Sequence, residues 1–270
     1  MSQPLPQDFA PFQPASPPPP MRKRSGAVTV VAVMVLLLAI LVILNESLLK
    51  IKAVMVSGNV RISREEVILA AGLDRPVSYF SVNEKKIAQG IESNRYLKFV
   101  GLEKFFPDRL TLYVEERQPM VQVQEMGADY FLADDGMVLE RKGRDEKQAP
   151  AGINLDAMIV VTGLKPKEMR VGRFMIAGST AHMEAYVQLL DELEQQRFSS
   201  EISELNVTNP ESLYLVTRDG YTAHLGDLSE LRAKIGTVRA VVYRLREMGK
   251  VGGRLEASIP GEVIYTPASP

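Results

Sequence analysis

The chain has 270 residues, 46% hydrophobic and 24% charged, with a formal net charge of −1, an ordinary globular composition long enough for one or two domains. That balance supplies no basic field for nucleic acid, and the longest basic run is Arg22-Lys23-Arg24. The absence of cysteine excludes disulfides, thiolate metal sites, iron–sulfur ligation and a thiol nucleophile.

Eight of the 17 prolines fall in the first 20 residues, ending in Pro17-Pro18-Pro19-Pro20. Such a segment cannot bury enough apolar surface to offset its ordering entropy, so residues 1–24 are expected to be a disordered tail leaning to polyproline II. From Ala27 to Leu44 the sequence AVTVVAVMVLLLAILVIL carries no charge over 18 residues. At ~1.5 Å per residue it reaches roughly 27 Å, which predicts one helix through the lipid bilayer within residues 25–46. A cleavable signal peptide is the alternative, but its apolar region is usually about 7 to 15 residues and ends in small residues. Here Asn45-Glu46-Ser47-Leu48-Leu49-Lys50 follows. Although Lys50, Lys52, Arg61 and Arg64 lie on the far flank, the tight Arg22-Lys23-Arg24 cluster beside a short tail favours a cytoplasmic N-terminus, with the rest of the chain outside the cytoplasmic membrane.

After the apolar segment, Ile51 to Ser57 reads as a strand closed by Gly58-Asn59. Ser63-Arg64-Glu65-Glu66 is a capping box that opens a helix ending before Gly72. Asn83 caps a second helix through Glu92, and Leu97 to Lys104 and Leu110 to Glu116 are strands joined by a turn at Pro107-Asp108. The predicted order over residues 47–119 is therefore βααββ. In the last strand Glu115 and Glu116 look like an acid/base pair, but successive strand residues point to opposite faces, so the two cannot converge on one substrate.

Residues 120–266 alternate in short runs with turn signals at Met126-Gly127, Asp135-Gly136 and Asp219-Gly220, which predicts an antiparallel β-domain. Arg141 to Pro150 reads as a polar, mobile loop. Two helices are expected to pack on the sheet. Thr180 to Arg197 shows Met183, Tyr186, Val187, Leu190 and Leu193 on one face, and Asp227 to Met248 shows Leu231, Ile235, Val238, Val242 and Leu245. Arg254 to Ile259 and Glu262 to Thr266, split by Pro260-Gly261, read as a last hairpin whose final strand forms the sheet edge, with residues 267–270 as a tail. The fold class is thus α+β.

Catalytic motifs are sparse. His182 and His224 are not in an HExxH spacing, and no nucleophile elbow, P-loop or dinucleotide fingerprint occurs. Ser47-Leu48-Leu49-Lys50 matches SxxK, without the SDN or KTG partners that such enzymes need. Asp134-Asp135-Gly136 lacks the remaining ligands of a calcium loop, and a hairpin turn explains it. No cofactor, metal or catalytic residue is assigned.

The βααββ order, with Val54-Met55-Val56-Ser57-Gly58-Asn59, Ala71-Gly72-Leu73, Tyr79-Phe80-Ser81-Val82-Asn83, Phe106-Pro107-Asp108 and Glu116-Arg117-Gln118-Pro119, resembles the POTRA module of the FtsQ/DivIB family of bacterial cell-division proteins. The resemblance continues through residues 130–138 (YFLADDGMV), residues 202–207 (ISELNV), Arg218-Asp219-Gly220 and Leu225-Gly226. It implies a non-enzymatic, septum-enriched divisome scaffold of the inner membrane that binds FtsB and FtsL, or DivIC-like equivalents, and acts indirectly on FtsW and FtsI in septal peptidoglycan synthesis. The implied partner-binding residues are Glu262, Val263, Ile264 and Tyr265 on the last strand, with Tyr243 and Arg246 on the helix before it. One departure is Leu255-Glu256-Ala257-Ser258, where the family often has an apolar-Asp-apolar-basic run. An alternative, a POTRA-bearing secretion or outer-membrane assembly factor, calls for tandem POTRA repeats or a long β-barrel; another, an anchored cell-wall enzyme, calls for a catalytic constellation. Glu116 and Arg117 are expected to set the angle between the two outer domains.

Overall fold

A computed structural model of the chain describes residues 26–146 and 148–268. The expected tail of residues 1–24 and the last two residues of the expected tail 267–270 lie outside the described residues. The chain divides into two compact units, one ending at Leu49 and one beginning at Lys50. The first contains helix α1, Gly26–Leu48, of 23 residues. Its side chains are described over residues 28–42, a stretch shorter than a bilayer span, and among these described residues no helix is long and apolar enough to cross a membrane.

The second unit opens with β1 (Ala53–Ser57), α2 (Arg64–Ala70), α3 (Glu84–Glu92), β2 (Leu97–Phe105) and β3 (Arg109–Glu116). This is the expected order, with a short 3-10 turn at Tyr79–Ser81 added before α3. Strand β3 lies between β1, which it pairs with in parallel, and β2, which it pairs with antiparallel. β1 begins later than predicted because Ile51 and Lys52 spend their N–H groups on Val77 and Asp108 carbonyls, both at 2.8 Å. The caps are where the sequence puts them: Ser63 Oγ accepts from Glu66 N at 3.2 Å, and Asn83 Oδ1 accepts from Lys86 N at 3.2 Å. Val67, Ile87, Ile91, Leu97, Leu110 and Leu112 form a separate small core beneath this sheet.

Two glycines permit close approaches in this module. Gly58 has φ +97° and a Cβ there would stand 1.8 Å from the Val114 carbonyl oxygen, so no L side chain fits. Gly90 sits inside α3, where a Cβ would meet the Ala70 carbonyl oxygen at 2.2 Å, and its bare backbone lets α2 press against α3.

The remainder forms a nine-stranded sheet of order β12-β11-β10-β9-β8-β7-β4-β5-β6. Its strands are β4 (Val121–Glu125), β5 (Ala128–Leu132), β6 (Val138–Gly143), β7 (Ile159–Thr162), β8 (Ile202–Asn206), β9 (Leu213–Thr217), β10 (Tyr221–Gly226), β11 (Gly253–Glu256) and β12 (Ile264–Thr266). Helix α4 (Thr180–Gln195) follows β7 and α5 (Leu231–Glu247) follows β10. The expected antiparallel sheet is corrected to a mixed one: β4 with β7, β7 with β8, and β10 with β11 are parallel. For two of these pairs a helix is the physical reason. A strand that leaves through a helix and returns beside its starting point arrives parallel, and α4 joins β7 to β8 while α5 joins β10 to β11. Strand β7 reaches β4 after the β5–β6 hairpin and the 144–158 segment.

Both helices bury their apolar stripe in one core with the sheet, including Tyr186, Leu189, Leu190, Leu193, Ile235, Val238 and Val242. Val187, expected on that stripe, is exposed, and Leu189 takes its place. α5 starts four residues later than predicted because the Asp227 carboxylate instead accepts from Ser229 N (3.1 Å) and from the buried Lys234 Nζ (2.8 Å). The expected loop from Arg141 also shortens: residues 141–143 extend β6 and pair with β5.

Between the two sheets, Glu116 and Arg117 divide their work. Glu116 turns back to its own module, accepting from the N–H groups of Val60, Arg61 and Ile62 at 2.6, 2.9 and 2.8 Å. It does not reach across to the β-domain, which corrects the expectation of an inter-domain role. Burial by itself would raise its pKa, but the three donors outweigh that and hold it below the ordinary value. Arg117 faces the other way and joins the modules, with Nε donating to Asp135 and Nη1 to the Leu97 carbonyl. Beside it, Glu140 accepts from Tyr96 Oη at 2.6 Å and pairs with Arg95, while Tyr96 packs on Ala133, Met137 and Leu139.

Candidate partner-binding edge

The last hairpin turns at Pro260-Gly261, with Gly261 at φ +79°, and returns as β12. The strand is shorter than predicted, Ile264–Thr266, so Glu262 and Val263 lie just before it. β12 pairs antiparallel with β11, Leu255 opposite Tyr265 and Glu256 opposite Ile264. Its other side has no strand neighbour among the described residues. The far edge, β6, is treated differently: Val138 donates to the Arg173 carbonyl at 3.0 Å and accepts from Gly172 N at 2.8 Å, so the 172–175 segment covers part of it. An open strand edge presents unpaired N–H and C=O groups along its length, which is the template for an added strand.

Parity sorts the side chains of this edge. Ile264 is 69% exposed, and Thr266 and Glu262 are exposed as well. Val263 and Tyr265 are half-buried and pack on the main core. The Tyr265 ring meets Tyr221 edge-on at 6.3 Å, its hydroxyl donates to the Gly252 carbonyl at 3.1 Å, and Lys250 Nζ lies 5.4 Å from the ring centre. Tyr265 therefore anchors β12, while Ile264 is the side chain displayed beside the open edge.

On α5, Tyr243 is exposed, with its ring against Phe198 at 6.3 Å and the Arg246 guanidinium 5.5 Å from its centre. Arg246 has both arms engaged: Nε donates to Asp219 at 2.6 Å and Nη2 to Glu201 at 2.8 Å. The bond from Arg246 lowers the Asp219 pKa, and the same bond raises that of Arg246. Asp219 also accepts from Thr217 Oγ1 at 2.7 Å, so the β9–β10 turn is locked to the helix. Of the six residues singled out by the sequence, four share the last hairpin and two share one turn of α5. Arg246 serves its own fold through both arms, and Glu262 precedes the strand.

The two histidines are accounted for locally. His182 Nδ1 contacts Ser179 Oγ at 2.5 Å at the start of α4, and His224 sits in β10 against Tyr214, where burial and then Arg254 push its pKa down. Among the described residues no group of His, Asp and Glu is placed to hold a metal ion. A cleft of about 360 Å³ lies where the two sheets meet, lined by Arg61, Tyr96, Glu116, Arg117 and the 151–153 loop. Sequence reasoning missed Asp135 and Glu140 at this joint, because only their partners across the fold give them a role.

Two family models match the chain: the POTRA domain, FtsQ-type, over residues 49–117, and the cell division protein FtsQ/DivIB C-terminal domain over residues 121–256. A cell division protein DivIB of Clostridium tetani is 20% identical over 215 residues, covering 79% of this chain and 78% of that protein. A cell division protein FtsQ of Geobacter sp. strain M21 is 32% identical over 123 residues, covering 46% of this chain and 42% of that protein. Among solved structures, the major extracytoplasmic domain of the cell-division protein DivIB from Geobacillus stearothermophilus aligns over 49% of this chain and 97% of its own, at 15% identity and a TM-score of 0.30.

Proposed function

Because the chain belongs to the FtsQ/DivIB family of cell-division proteins, we propose that it is a membrane-anchored, non-enzymatic divisome scaffold whose C-terminal sheet edge binds the FtsB–FtsL pair outside the cytoplasmic membrane. The observation that carries this reading is the open outer side of β12 with Ile264 exposed beside it. A partner strand laid there completes the backbone ladder, and the exposed Tyr243 ring on α5 adds an aromatic contact of the type enriched in interfaces. FtsB supplies that strand, and through the FtsB–FtsL pair the scaffold links early division proteins to FtsW and FtsI.

The anchoring half of the proposal rests on α1. Its 23 residues extend about 34 Å, which matches a hydrocarbon core of about 30 Å, and its described apolar side chains from Val28 to Val42 are exposed all round. A helix apolar on every face is suited to lipid rather than water. We assign residues 25–46 to the anchor, 47–119 to the POTRA-like domain and 120–266 to the β-domain. Depletion of the protein, with localisation of a tagged copy, tests the reading. Long filaments and a midcell ring are expected, and normal division with a uniform envelope signal would contradict it.

A further inference from the structure

The POTRA-like module carries an aromatic patch that stays exposed among the described residues. Phe80 is 67% exposed and Phe106 65% exposed, and both rings meet the intervening Tyr79 edge-on at 5.5 and 5.7 Å. Phe105 beside them is exposed too. The patch is rimmed by cations. Lys104 Nζ lies 5.9 Å from the Tyr79 ring centre, Arg109 follows the Phe106-Pro107-Asp108 turn, and Lys50 and Lys52 lie in the segment whose backbone meets Ser78 and Asp108. Asp108 pairs with Lys52 at 3.5 Å and offsets one of these charges.

What the patch faces is constrained by the covalent chain. Lys50 is bridged to Ser78, the residue before Tyr79, and Lys52 and Ala53 both donate to the Asp108 carbonyl beside Phe106. The last residue of α1 is Leu48, two positions before Lys50, and two residues reach at most about 7 Å. Only Leu49 separates the end of α1 from Lys50, which is bridged to Ser78 beside the patch, so if α1 spans the bilayer the covalent chain leaves little room for a spacer before the patch. Exposed aromatic rings edged by lysine and arginine are the composition that settles at a lipid headgroup boundary.

We propose that Phe80 and Phe106, with Lys50, Lys104 and Arg109 around them, seat the POTRA-like module on the surface of an anionic bilayer. The inference rests on the anchoring reading of α1 and adds a second membrane contact to it. Seated in this way, the module holds the β-domain and its open edge at a fixed height above the lipid, through the Arg117 joint.

The chain contains no tryptophan, so single-tryptophan variants report on one place at a time. The full chain, carrying Phe80→Trp or Phe106→Trp, is reconstituted into vesicles of phosphatidylethanolamine and phosphatidylglycerol brominated near the headgroup end of the acyl chains. Met126→Trp, in the β4–β5 turn, is the control outside the patch, and Leu36→Trp, near the middle of α1, reports on the anchor in matched vesicles brominated near the methyl end of the acyl chains. The expected result is a blue-shifted emission and several-fold stronger quenching for Phe80→Trp and Phe106→Trp than for Met126→Trp, weakened by replacing the anionic lipid. Quenching of Leu36→Trp alone overturns the seat while leaving the anchor intact, and points to a protein partner for the patch. Loss of quenching at Leu36→Trp as well removes both.

Discussion

Arg117, with 6% of its surface exposed, donates through Nε to Asp135 Oδ2 at 2.7 Å and so ties the end of β3 to the β5–β6 turn. The same guanidinium also donates to the Leu97 carbonyl, and Asp135 accepts from Met137 N at 3.1 Å, so neither partner is held by the other alone. Removing one member of a buried pair leaves the other desolvated without a counter-charge, at a cost of about 3 kcal/mol. Arg117→Ala is therefore expected to lower the unfolding free energy measured in urea by that amount, with a lower midpoint, and to loosen the joint between the sheets. Arg117→Lys restores the charge without the planar fork and recovers part of the loss. A stability unchanged in Arg117→Ala would show that the joint is held elsewhere.

Glu116 makes the stability of the POTRA-like module depend on pH. Its folded pKa lies below the ordinary 4.5, because the N–H groups of Ile62, Arg61 and Val60 outweigh the opposing effect of burial. A depressed carboxylate stabilises the fold fully above its unfolded pKa, and that contribution is lost as pH falls from about 4.5 through the folded value. Glu116→Gln is expected to cost about 1.5 kcal/mol near neutral pH, in the range of hydrogen bonds to a charged group. It should also flatten the decline of stability in acid. Denaturation curves at neutral and acid pH check both effects, and an equal acid slope in the variant would contradict the assignment.

Neighbouring residues of β12 are expected to behave oppositely. Tyr265 is packed on Tyr221 and bonded to Gly252, so Tyr265→Lys should cost about 2 kcal/mol through lost packing. Ile264 stands in solvent, and Ile264→Lys should change stability by no more than about 0.5 kcal/mol. Thermal or urea unfolding separates them. Equal losses would mean that the parity of the strand is misread.

Gly58 gives a sharp local test. With φ +97° and the Val114 carbonyl oxygen 1.8 Å from a would-be Cβ, Gly58→Ala has to move β1 away from β3. A loss of at least about 2 kcal/mol is expected, more than the ordinary glycine-to-alanine change, which is often stabilising where the backbone allows it. Retained stability would show that the turn relaxes freely.

Much of this fold is legible from local rules. Ser63 and Asn83 announce their helices because a cap needs only its own side chain and the next turn, and the Pro260-Gly261 hairpin needs only its two central residues. The parallel pairs of the β-domain were hidden, because strand alternation says which face is buried but not which neighbour a strand joins. Two helices between strands were the available sign of crossover. Lys234 and Arg117 were hidden for a related reason. Arg117 is buried by partners distant in the sequence, Asp135 and Leu97, while Lys234 is held by Asp227 and Ser229 just before its helix, a pairing that a charged residue on a helix stripe does not announce. At the candidate edge the sequence located the hairpin, while the separation of Ile264 as displayed from Tyr265 as anchored required the packing.

The most direct test of the central claim is the affinity of the purified protein for the FtsB–FtsL pair, measured for the unaltered chain and for Ile264→Lys, with folding confirmed for both. Binding by the unaltered chain, weakened at least about tenfold, or ~1.4 kcal/mol, by Ile264→Lys, is the result expected if a partner strand docks on β12. An unchanged dissociation constant in the folded variant, or no binding by the unaltered chain, would contradict it.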